Sequence, residues 1–91
     1  MIYANEADLL NIALFGITAQ QWKNQNPSLD GNMRDHATLV QLVVLSNMES
    51  INALLIQQGL QSQERILQLN QVAITQMKSL VESKQFKLME K

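Results

Sequence analysis

The chain has 91 residues, the length of one small domain, with 7 Lys+Arg against 8 Asp+Glu and a formal net charge of −1. That balance argues against a dedicated nucleic-acid surface, which shows as a basic patch or a high domain pI. The absence of cysteine excludes disulfide scaffolds, thiolate metal sites and Cys nucleophiles together, and a single histidine leaves no His-rich metal site and no pair of imidazoles.

Apolar residues make up 46% of the chain, enough for a core. A chain this short buries only about 60–68% of its unfolded surface, so it is marginal as a monomer without a partner. Three Gly, one Pro and four aromatics fit neither a turn-rich β fold nor an aromatic stacking platform. Eight Asn and twelve Gln keep helix surfaces polar without charge. The start has no basic stretch of the signal-peptide kind, and Glu6 and Asp8 interrupt its first turn. The longest apolar run, Leu39 to Leu45, is broken only by Gln41 and falls short of the ~18 residues of a spanning helix. The expectation is a cytoplasmic chain, neither exported nor inserted.

In chain order, Asn5 precedes a helical run whose first turn holds Glu6 and Asp8, where a helix favours acids, and Gly16 closes it. Thr18 with Gln21 reads as a capping box opening a second, short helix. That helix stops at Asn26, because Pro27 drives the preceding residue out of the α region. Residues 27 to 33 read as loop. Thr38 with Gln41 is another capping box, although Asp35 could cap the same helix three residues earlier. Gly59 stops that third helix, and Ser62 opens a fourth that meets no Gly or Pro before Lys91. The helices expected are near 5–15, 18–25, 36–58 and 62–83, all-α: two short N-terminal helices packed on a long antiparallel hairpin. Residues 1–83 form one domain, with 84–91 a helix extension or a frayed tail.

The wheel adds packing expectations. Leu39, Val40, Leu42, Val43, Val44 and Leu45 spread around the whole circumference, which predicts burial on all sides of the first half of helix three. Met48, Ile51, Leu54 and Leu55 fall on one stripe of its second half. Helices one and two should therefore cover the hairpin end far from Gly59. In helix four, Ile66, Leu67, Leu69, Ala73, Ile74, Met77, Leu80 and Val81 read as one apolar face.

Residues that could carry chemistry are few. Arg34-Asp35-His36 mixes a base, a carboxylate and an imidazole, and Asp35 orienting His36 would be a general-base arrangement. Adjacent residues at a helix start do not face each other, so a capping Asp35 and an Arg34 paired with a carboxylate or a loop carbonyl are preferred. Trp22, the one tryptophan, reads as the anchor of its short helix more than as a ligand stack. Asn47 and Asn70 sit within apolar stripes, and either fix register from buried positions or bond neighbouring backbone. Met33, Met48, Met77 and Met89 read as core filler. Lys78, Lys84, Lys87 and Lys91 complement a helix C-terminus. No phosphate loop, paired-His spacing or Ser/His/Asp set is present, so neither a cofactor nor enzymatic activity is expected.

Three stretches carry a resemblance: "YANEADLLNIALFGITAQQWKNQNP", "GNMRDHATLVQLVVLSNMESINALLI" and "QSQERILQLNQVAI". They resemble the region that follows the DNA-binding domain in bacterial and phage KilA-N domain proteins. The likeness covers about Tyr3 to Lys78 and departs from the family pattern at His36, where a tyrosine is expected. It implies a C-terminal domain of a DNA-binding or regulatory protein whose KilA-N domain lies upstream, and it carries over no DNA-contact residue.

Two functions follow as expectations. The first is an interaction module that oligomerises the parent protein or binds a protein partner, with a homodimer through the hairpin as the simplest form. The second is direct nucleic-acid binding through Lys23, Arg34 and the lysines of helix four. Charge favours the first, because Asp30, Asp35, Glu82 and Glu90 dilute every basic patch. The residues singled out for binding are Trp22, Arg34, Asp35, His36, Asn47, Asn70 and Phe86. Phe86, with Leu88 and Met89, should lie beyond the intramolecular contact and dock on a second copy.

Overall fold

The computed structural model describes residues 5–82, which form four α-helices and one short 3-10 turn, with no strand among them. The order is α1 (Glu6–Phe15), α2 (Ala19–Gln25), the 3-10 turn (Met33–His36), α3 (Leu39–Gln57) and α4 (Ser62–Val81). The expectations for residues 84–91, Phe86 and Met89 included, lie outside the described residues.

The helix boundaries follow from side chains that satisfy otherwise orphaned backbone groups. The Asn5 side chain accepts from the Asp8 amide at 2.9 Å to open α1. Gly16 closes it at φ 84°, in the left-handed region that suits glycine, with its amide donating to the Ile12 carbonyl. Thr18 with Gln21, and Thr38 with Gln41, make reciprocal capping boxes with bonds of 2.9 and 3.1 Å in each.

Asp35 does not cap α3, and α3 does not begin at 36. Asn32 and Asp35 bond reciprocally and close the 3-10 turn instead. Gly31 makes this possible: its φ is +84°, and a Cβ there would fall 2.5 Å from Asp35 Oδ2. Ala37 is then extended, and α3 starts afresh after Thr38.

α3 and α4 pair as an antiparallel hairpin around Gly59, and α1 packs on both, mainly on α4. The core joins Leu9, Leu10 and Ala13 of α1 to Val40, Val44, Leu45, Met48 and Leu55 of α3 and to Leu69 and Ala73 of α4. Met33 is also buried.

The wrapped helix is α1 and not the first half of α3. Five consecutive residues, Leu9 to Ala13, are buried in α1, whereas Leu39 and Leu42 of α3 stay exposed. The half of the hairpin nearest Gly59 holds the start of α1, because Glu6 bonds Asn52 and Arg65 there. α2 contributes no buried residue, and its main neighbour is the 3-10 turn. A ten-residue helix laid along two longer ones is covered from several directions. A long hairpin arm with two short neighbours must leave one side bare.

α3 is long and apolar enough to cross a membrane by length and composition. Core helices of folded domains meet the same measure, and Val40, Val44, Leu45 and Met48 are packed inside this one.

Candidate functional site

The most highly organised polar cluster joins the first helix to the last. Arg65 is only 7% exposed, and its guanidinium grips the Glu6 carboxylate with two bonds of 2.7 and 3.1 Å. It also donates to Asn52 Oδ1 at 3.0 Å and to the Leu60 carbonyl at 3.2 Å, while Asn52 Nδ2 donates to Glu6 at 2.8 Å. The hydrogen bonds from Arg65 and then Asn52 hold the Glu6 carboxyl below its ordinary range of about 4.5, with the Arg65 charge adding to them and partial burial opposing. A carboxylate held ionised against a fixed arginine is a strut, not a proton carrier. Arg65 was legible as the one cation in the helix column of Leu69 and Ala73, four and eight residues on. Asn52 likewise stands four residues after Met48 and three before Leu55, both buried.

Arg34, Asp35 and His36 share the 3-10 turn but do not act together. Asp35 bonds the Asn32 amide, His36 Nε2 donates to the Asp30 carbonyl at 2.8 Å, and Arg34 reaches Glu49 at 3.8 Å across exposed surface. Trp22 anchors α2 to this turn and not to the main core. Its ring centroid lies 5.2 Å from that of His36 at a tilt of 30°. Lys23 Nζ fastens the intervening loop by donating to the carbonyls of Leu29 at 2.6 Å and Gly31 at 3.3 Å. The cleft between Phe15, Trp22, His36 and Gln41 holds about 230 Å³. Small-molecule pockets run from about 300 to 1,000 Å³.

Neither Asn47 nor Asn70 is buried. Asn47 donates to Gln76 across the hairpin at 3.0 Å, and Asn70 donates to the Ala13 carbonyl at 2.8 Å, near the C-terminal end of α1. The buried asparagines are Asn11 and Asn52, and Asn11 Oδ1 has no hydrogen-bond partner among the described residues. Those residues contain no group of three or more His, Cys, Asp or Glu that could hold a metal ion.

Among the polar residues that α4 presents to solvent stand three large apolar ones. Leu67, Ile74 and Val81 do not share the inward face with Leu69 and Ala73, but form a ridge opposite to it. Two grooves flank that ridge. One of about 340 Å³ runs between α1 and α4, past Ile12, Gly16, Ile66 and Asn70. The other, of about 410 Å³, lies between α3 and α4 over Ile51, Gln68, Gln71, Val72, Thr75 and Gln76. An apolar ridge between amide-lined grooves has shape and grease but no reactive group, which suits a macromolecular contact.

No protein-family model, no curated protein and no solved structure matches the chain.

Proposed function

We propose that this chain is a non-catalytic interaction and oligomerisation module, the C-terminal domain of a cytoplasmic KilA-N-type DNA-binding regulator with its DNA-binding domain upstream. The outward apolar ridge of α4, Leu67, Ile74 and Val81, carries the reading. Exposed apolar surface of this kind marks a contact with another macromolecule. For a domain that is marginal by size, covering it adds stability.

The link to KilA-N proteins rests on the sequence resemblance. Many of the resembling residues have structural tasks here: Glu6 in the strut, Gly16 and Thr18 at helix ends, Asn32 and Asp35 in the turn, Arg34 against Glu49. A shared scaffold, and not a shared reactive centre, is what such words would spell.

Direct nucleic-acid binding is the competing reading, and the cations weigh against it. Of the four Lys and Arg among the described residues, Lys23 is spent on loop carbonyls, Arg34 faces Glu49 and Arg65 is buried on Glu6. Phosphate binding requires several cations free to release counterions. Fluorescence anisotropy with a labelled duplex, titrated from low to physiological salt, tests the choice. The expected outcome is no salt-sensitive affinity stronger than about 10⁻⁴ M. A micromolar dissociation constant that weakens steeply with salt would overturn the interaction-module reading whatever the oligomeric state.

A further inference from the structure

α4 carries an apolar stripe that the fold does not use. Leu67, Ile74 and Val81 recur every seven residues and are 73%, 55% and 43% exposed, while Leu69 and Ala73 on the other side are buried. A seven-residue step returns a helical side chain to within about 20° of the same direction, so the three form one continuous ridge. The sequence carries the same spacing on to Leu88, outside the described residues. A column of this kind returns to one face of the helix every two turns and can lie along a second helix, with one apolar residue per seven where a coiled coil has two. Resting on the interaction-module reading, we infer that the partner is a second copy of this chain, whose α4 lies antiparallel on this one.

Charge selects that occupant and its direction. Glu64, Gln71 and Lys78 also recur every seven residues, as a column bordering the ridge. Glu64 and Lys78 make no ion pair among the described residues. In a parallel pair the two-fold axis runs along the helices and puts this column on opposite flanks of the two copies, where it faces the uncharged Gln63, Asn70 and Met77, so neither charge gains an opposite partner. A two-fold axis through Gln71 instead sets Glu64 of one copy against Lys78 of the other, twice, because both lie seven residues from it. The same axis brings Leu67 of one copy alongside Ile74 of the other, and two Gln71 amides meet at the centre. The patch thus complements itself, as a two-fold interface must. Exposed ion pairs add little attraction, so the ridge supplies the affinity and the charges set the orientation.

Because the chain has no cysteine, single cysteines report this geometry. Under mild oxidation at tens of micromolar, Gln71→Cys should form a disulfide-linked dimer. Glu64→Cys should not, since an axis at residue 71 holds the two 64 positions about 21 Å apart, against a Cα–Cα limit of about 7 Å. Sedimentation equilibrium of the unaltered chain should give a mass rising with concentration from 10.3 kDa toward its double. Ile74→Lys, at an exposed site, should keep the helical circular dichroism spectrum and raise the dimer Kd about tenfold or more. Glu64→Lys and Lys78→Glu should each weaken the dimer, and an equimolar mixture of the two variants should restore it.

A mass fixed at 10.3 kDa up to about 0.1 mM overturns the inference. Cross-linking at both 64 and 71 overturns the antiparallel arrangement, and an undiminished dimer in Ile74→Lys overturns the ridge. A fixed mass also removes the oligomerisation part of the proposed function and leaves the interaction part, which answers to the DNA titration.

Discussion

α1 and α4 spend their apolar residues in opposite ways. α1 has ten residues and buries five in a row, with Leu14 and Phe15 half-buried against the same core. α4 has twenty, buries three of them, and presents a second apolar stripe to solvent. The difference separates two uses of hydrophobicity within one small domain. Apolar residues on all sides of a short helix make it the centre of the core. On two sides of a long helix they make it a wall between the core and something else.

Substitutions can break that comparison, and the largest effect belongs to α1. Leu9 is 1% exposed within the main core, so Leu9→Ala should cost about 2–5 kcal/mol in urea denaturation, by lost transfer energy plus the cavity left behind. A cost under about 1 kcal/mol would mean that α1 is not the central element. Next comes the strut between the two helices. Arg65→Ala strands Asn52 and Glu6, and since the Glu6 side chain is 52% exposed the expected loss is about 2–3 kcal/mol, below the range for a fully buried pair.

Smaller effects sharpen the picture. Thr18→Ala and Thr38→Ala each remove one capping box and should cost about 1 kcal/mol apiece, read from the same denaturation curves. The strut also predicts a pH dependence. The Glu6 carboxyl is lowered in the folded state, so its contribution is present above about 4.5 and is lost as pH falls through the lower folded value. Glu6→Gln should therefore be less stable than the unaltered chain at neutral pH and should lose less stability on acidification. The smallest effect belongs to the ridge of α4. Ile74→Ser, at a concentration where the chain is monomeric, should change unfolding free energy by no more than about 0.5 kcal/mol.

How far the sequence disclosed this fold depends on the range of the interaction that decides each feature. Thr18 with Gln21, Thr38 with Gln41 and Gly16 are local, and the helix ends stand where those residues put them. The 3-10 turn is not legible from the capping residues alone, because Asp35 could cap either of two elements, and Gly31, four residues back, decides between them. Packing is less legible. Apolar residues surround the first half of α3 and two sides of α4, and a helical wheel does not say which side a neighbour covers. Asn47 and Asn70 stand in apolar stripes by count, yet both lie at their margins and bond across to Gln76 and Ala13. Arg65 and Asn52, each framed by buried residues of its own helix, were the better signs of a buried polar contact.

The strut has a consequence in time. Glu6 precedes Asn52 by 46 residues and Arg65 by 59, so α1 is made first and its partners last. At about 5–20 residues per second, roughly 3–12 s of synthesis separate Glu6 from Arg65. Through that interval Leu9, Leu10, Ile12 and Ala13 have no complete core to enter, while the hairpin of α3 and α4 can close as soon as its own turns are complete. The core that α1 enters is therefore complete only once Leu69 and Ala73 of α4 have been made, and until then its apolar residues lack their full set of partners.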